Sequence, residues 1–136
     1  MIKPVVKDIM FLKKKAVACT KEDVYLAKDL TDTLNAHHNE CVGIAANMIG
    51  VNKQAIVVDM GMMKMVMFNP VIQKKEQPFF TEEGCLSLIG TRKTMRFQKI
   101  EVSYMDTQWQ KKTLKCEGWI AEIIQHECDH LQGIII

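Results

Sequence analysis

The sequence has no long apolar run. Its opening residues, Met1-Ile2-Lys3-Pro4-Val5-Val6-Lys7-Asp8, contain no continuous apolar core of the kind a secretory leader carries. No stretch approaches the roughly 20 apolar residues that cross a bilayer. A cytoplasmic protein with no membrane partner is therefore expected. Proline and glycine are also scarce, at three and seven residues, and there are no repeats, low-complexity segments or long linkers. An excess of charge of either sign is nearly absent as well, with 18 basic and 16 acidic residues. A formal net charge of +2 is too small to argue for nucleic acid, and the short run Lys13-Lys14-Lys15 reads as a solvated turn. The five cysteines, an odd number, show no disulfide rhythm. In a reducing compartment they read as buried thiols or metal ligands.

What is present is the composition of a globular domain, 48% hydrophobic and 25% charged over 136 residues. That length holds one real core and is too short for two, so residues 1–136 are read as one domain. Residues 1–19 read as an extended arm with a turn. Thr20-Lys21-Glu22-Asp23 resembles a capping box and opens a helix to about His38, with Val24, Ala27, Leu30 and Leu34 as its apolar stripe. His37 and His38 then sit at the helix C-terminus, where a cationic ring suits the dipole and needs no metal. Gln54–Met60 and Lys64–Asn69 read as strands joined at Gly61-Met62, Asn69-Pro70 as a break, and Val71-Ile72 as the start of another strand. Ile100, Val102 and Tyr104 alternate with polar residues as a half-exposed strand. Asp106-Thr107-Gln108 turns it toward a partner around Lys112–Cys116. The expected class is α+β, mostly antiparallel sheets packed around a C-terminal helix, with one N-terminal helix.

That C-terminal helix carries His126-Glu127-Cys128-Asp129-His130, the pattern H-E-x-x-H. Two histidines four residues apart leave one helix face about a turn apart. Their rings can bind one divalent metal, and Glu127 beside the first can take a proton from water. Trp119, Ile120, Ile123, Ile124 and Leu131 give the segment an apolar face, so it reads as packed into a core, where charged groups need partners. A catalytic site needs a third ligand. Cys85 is the best candidate because Gly84 lets the chain turn sharply beside it. Cys128 lies two residues from each histidine and should face elsewhere, while Cys116 stays open. A His2Glu peptidase would need a carboxylate ligand further along, and only six residues follow His130.

Three segments occur in order: Cys41-Val42-Gly43-Ile44-Ala45-Ala46-Asn47-Met48, Glu83-Gly84-Cys85-Leu86-Ser87, and Gln125-His126-Glu127-Cys128-Asp129-His130. They resemble, over nearly the whole chain, the motifs of the peptide deformylases. These are metal amidases that remove the formyl group from the N-terminal methionine of new bacterial proteins. The last two segments match E-G-C-φ-S and Q-H-E-x-D-H in full, φ being aliphatic. The resemblance implies Cys85, His126 and His130 as ligands, Glu127 as general acid/base, and the Leu86 N–H as a stabiliser of the oxyanion. It implies Fe(II) as the working ion, with zinc, nickel or cobalt in purified protein. It places Gly43, Ile44, Met48, Arg96 and Ile123 at the substrate, with Ile44, Leu86, Ile123 and Leu88-Ile89 around an apolar methionine pocket. Ser87 would be a hydrogen-bonding support, and Gln125 and Asp129 would support the ligands or pack the helix. The implied partners are formylmethionyl peptides or nascent chains, with transient ribosome contact.

The first segment departs from the family pattern G-φ-G-φ-A-A-x-Q. Cys41 stands at its first glycine and Met48 at its glutamine. A thioether has no N–H to offer an oxyanion, and losing one such donor costs roughly a hundred- to a thousandfold in rate. Asn47 is a neighbouring side chain that could fill part of that gap. Many members also continue past the position of Ile136 into a helix that aids ribosome binding. Reduced activity is therefore expected. Two other readings stay open: a divergent member that keeps the metal as a binding or regulatory protein, and a purely structural metal site. Intact Glu127 argues against both.

Overall fold

The computed structural model describes residues 1–85, 87 and 89–134. Two short helical elements precede the sheet. The first, α1 (Ile9–Leu12), is one turn long and is capped by Asp8, whose carboxylate accepts from Met10 N at 3.0 Å. It lies in the arm expected to be extended, which is otherwise tied down by Val6 N donating to Met48 O at 2.7 Å. The second, α2 (Leu26–Ala36), follows a 3₁₀ turn at Lys21–Tyr25. Asp23 caps that turn by accepting from Thr20 N at 2.8 Å, so the expected helix start is right and its first turn is the tighter form. Leu26, Leu30 and Leu34 share one face of α2 and are fully buried.

Five strands form one antiparallel sheet in chain order: β1 (Gly43–Ala45), β2 (Ala55–Asp59), β3 (Lys64–Gly84), β4 (Thr91–Met105) and β5 (Lys111–Glu117). Ala55 to Val58 of β2 are buried at every position, which marks a strand covered on both faces. The expected break at Asn69-Pro70 is a bulge inside one continuous strand, with the register against β4 shifting between Phe68 and Val71. Asn69 takes φ 51° there, a conformation asparagine tolerates better than most residues. Its side-chain amide accepts from Cys19 N at 2.7 Å and donates to Cys19 O at 3.0 Å. The loop after β3 therefore sits at the tip of a long hairpin rather than after several short strands. The outer edge, β5, exposes Lys111, Lys112 and Lys115, charges that discourage further strand pairing.

The sheet passes directly into α3 (Gly118–Leu131), with Gly118 at φ 67° making the turn. Gln125 fastens this helix to β4. Its amide accepts from Phe97 N and donates to Phe97 O, both at 2.8 Å, as a neighbouring strand would. Ala121, Ile124 and Leu131 are buried, whereas Trp119 is 62% exposed and does not join the apolar face expected of it. All five cysteines are free. Among the described residues no helix is long and apolar enough to cross a membrane.

Candidate metal centre and active-site cavity

Two parts of the fold converge on one point. The helix α3 brings His126 and His130, and the tip of the β3–β4 hairpin brings Cys85. Their ligand atoms lie within 4.8 Å of one another, the one such group among the described residues. Cys116 and Cys128 are not in it. His126 Nε2 faces His130 Nε2 at 3.1 Å, less than twice the usual metal–imidazole bond of about 2.0–2.1 Å, so one ion reaches both rings. Two imidazoles and a thiolate suit iron, zinc, nickel or cobalt. The residues fit such an ion.

Supporting contacts set the orientation of each ligand. Glu83 Oε1 accepts from His126 Nδ1 at 2.7 Å, which turns Nε2 toward His130. Ser87 N donates to Cys85 Sγ at 3.4 Å, the backbone support a thiolate ligand needs. Asn47, fully buried, donates from Nδ2 to His130 O at 2.8 Å. That N–H helps hold the helix, and Asn47 is not among the residues on the cavity wall. Arg96 binds both oxygens of Glu83, at 2.7 to 3.1 Å, and Asp129 Oδ2 at 2.6 Å. It is 3% exposed and is absent from the cavity wall, so the expected substrate contact becomes an anchor for the carboxylate that orients His126.

The charges in this cluster are strongly coupled. Burial alone would push His126 down, but hydrogen bonds with Cys85 and Glu83 and the charge on Glu127 hold it up at about 10. Burial and repulsion from that ring hold His130 down at about 3. Burial opposes ionisation of Glu83 too, yet His126 and Arg96 keep its pKa at about 2. The two rings thus share one positive charge. A divalent cation satisfies the same lone pairs in competition with that proton, so its binding weakens as pH falls.

Beside this group opens a cavity of about 700 Å³, lined by Gly43, Met48, Cys85, Ile123, His126 and Glu127 among others, within the size range of small-ligand sites. Glu127 is 4% exposed, and its Oε1 has no hydrogen-bond partner among the described residues. Burial raises its pKa to about 7, against the lowering effect of His126, the range in which a carboxyl can both take and return a proton near neutrality. Gly43 makes room for it. A Cβ on Gly43 would lie 2.9 Å from Glu127 Oε2 and 2.9 Å from Ile123 Cγ2. Gly43→Ala should therefore displace the carboxylate and lower kcat about ten- to a hundredfold, with metal content unchanged. Steady-state kinetics beside a metal assay would check this, and parental kcat in the variant would refute it.

Not every expected substrate residue lies on this wall. Ile44 is fully buried in the core, and Ile89 is 97% exposed at the hairpin tip. Leu86 and Leu88 lie outside the described residues. Sequence reading missed the ion network of Glu83, Arg96 and Asp129, although Glu83 precedes Cys85 by two residues, the spacing that puts strand neighbours on one face.

A family model described as polypeptide deformylase matches residues 2–136. The chain belongs to the polypeptide deformylase family. It is 55% identical over 136 residues to the peptide deformylase of Clostridium beijerinckii, covering 100% of both chains. It is 36% identical to that of Desulfitobacterium hafniense over 126 residues, covering 91% of this chain and 84% of the other. Among solved structures, the peptide deformylase from Thermotoga maritima superposes with a TM-score of 0.89 at 30% identity, over 99% of this chain and 95% of that one. One from Synechococcus elongatus, in complex with actinonin, gives 0.86 at 30% identity over 97% and 74%. Membership in the deformylase family makes this chain a metal-dependent hydrolase that removes the N-formyl group from formylmethionyl peptides, with one divalent metal.

Proposed function

We propose that residues 1–136 act as one deformylase domain whose chemistry is carried by the cavity beside α3. Cys85, His126 and His130 hold the ion, Glu127 moves the proton, and Gly43, Met48 and Ile123 line the place of the formylmethionyl end. The observation that carries this reading is the buried Glu127 carboxylate on the cavity wall, next to a Cys–His–His group whose atoms lie within 4.8 Å.

When bound, the ion supplies Lewis-acid chemistry, making water a nucleophile near neutral pH and polarising the formyl carbonyl. The rest falls to the chain. Glu127 accepts the proton of the attacking water and passes it to the leaving amine, so that formate and a free N-terminal methionine result. Glu83, held by Arg96, keeps His126 in the tautomer that can ligate. The Leu86 N–H is assigned as an oxyanion donor on the family motif alone. We assign Fe(II) as the ion in the cell, the cytoplasm as the site of action, and nascent chains at the ribosome as the substrate source with only transient ribosome contact. Met48 at the oxyanion position is the reason to expect reduced activity.

The test is formate release from a formyl-Met tripeptide by anaerobically purified protein loaded with Fe(II). Release should track the iron content, stop on chelation and return when Fe(II) is restored. Metal-loaded protein that releases no formate, with or without the Met48→Gln replacement, would overturn the reading.

A further inference from the structure

The cavity wall offers no buried side-chain N–H for a developing oxyanion outside the metal group, since Asn39 and Trp119, which also line it, are exposed. Met48, 1% exposed on its wall, has no N–H, and its Sδ accepts from Ala45 N at 3.4 Å. Asn47 gives an N–H to His130 O and is not on the wall. His38, at the rim, is bonded through Nδ1 to Asn35 O at 2.9 Å. Yet Glu127, also on this wall and 4% exposed, leaves Oε1 without a partner among the described residues, so the wall is built to receive a polar group.

A half-buried hydrogen carrier also faces this space. Cys41 lies between α2 and β1, half-buried, on the same wall as Gly43, Met48 and Glu127. Its thiol reaches His37 O only at 3.7 Å, a long contact from which the S–H can turn at little cost. We propose that the Cys41 thiol donates a hydrogen bond to the formyl oxygen as it gains negative charge, standing in for the donor that Met48 cannot supply. Burial, and next the charge of Glu127, push its pKa up to about 11, so the thiol keeps its proton throughout the neutral range. A neutral thiol also adds no repulsion toward Glu127 or the Cys85 thiolate. Two departures from the motif, one losing a donor and one gaining it, thus meet on one wall. The inference rests on the deformylase reading of this cavity.

A thiol is a weak donor, so it restores only part of what a full amide donor contributes. The test measures kcat and KM for formate release by Fe(II)-loaded parent, Cys41→Ala, Cys41→Ser, Met48→Gln and the Cys41→Ala/Met48→Gln double variant. Cys41→Ala should lower kcat about tenfold with KM nearly unchanged, and serine, which keeps a donor, should recover most of it. With glutamine at 48 the alanine change should matter less than about twofold, the non-additivity of two groups sharing one task. Equal losses in both backgrounds, a serine variant no better than alanine, or an effect confined to KM would overturn the proposal. So would a silent parent beside an active Met48→Gln, because no compensating donor is then at work. Glu127→Ala separates the two claims. Formate release that survives it removes the cavity assignment itself, whereas Glu127-dependent release with additive Cys41 and Met48 effects removes only the role of the thiol.

Discussion

Replacing Glu127 with glutamine should lower kcat about a thousandfold while the protein keeps its metal. Glutamine has nearly the same shape, so it fills the space beside Gly43 and Ile123 that alanine would leave open. What it loses is the ability to accept a proton, and a positioned acid/base typically contributes about a hundred- to ten-thousandfold. The buried setting favours the upper half of that range. Glu127 is 4% exposed, so bulk water competes poorly for the proton. Metal retention follows from the ligand set, because Glu127 is not in the Cys85–His126–His130 group. Kinetics paired with metal analysis checks both halves. A variant with more than about a tenth of parental kcat would mean that the proton moves through another group, and a metal-free one would place Glu127 among the ligands.

The opposite sign is expected at Met48. Met48→Gln should raise kcat about a hundredfold, the lower end of what one oxyanion donor supplies, since the Cys41 thiol already provides part. The two side chains are similar in length, and the site is prepared for the exchange. Ala45 N donates to the Met48 sulfur at 3.4 Å, and a glutamine carbonyl is a better acceptor for that N–H. With its oxygen so engaged, the amide nitrogen is free to face the cavity that Met48 lines. Because the new carbonyl is paired, the polar group carries a small burial cost, and the melting temperature should move little. The measurement is kcat of the Fe(II)-loaded variant beside a thermal melt. An unchanged kcat in a folded, metal-loaded variant would show that position 48 does not face the oxyanion.

The same two residues mark how far the sequence could be read. His126, Glu127 and His130 were legible because helix geometry converts a spacing of four into a shared face, and every partner needed for that argument lies within one turn. Met48 was legible as a missing donor because side-chain chemistry travels with the residue name. Arg96 was not, because a guanidinium on an alternating strand carries no local mark of whether it meets solvent, substrate or a buried carboxylate. Only the folded chain from Lys64 to Asp129, which brings β3, β4 and α3 together, sets Glu83 and Asp129 around it. Asn47 was misjudged for the same reason, since its partner His130 O is 83 positions away. Ile44 and Ile89, equal in hydrophobicity, ended in the core and at an exposed hairpin tip.

The sequence by itself determined the class of fold, the helix that carries His126, Glu127 and His130 on neighbouring positions, and the chemistry these groups can perform. Those are consequences of side-chain type and of short, regular spacings. The tertiary structure decided which ionisable groups meet. It ran β3 through a bulge to deliver Cys85, placed the Glu83 carboxylate against His126, and set Gly43, which has no side chain, where Glu127 needs room. Contacts between residues far apart in the chain depend on register and packing, which are properties of the assembled core and are not written in any one segment.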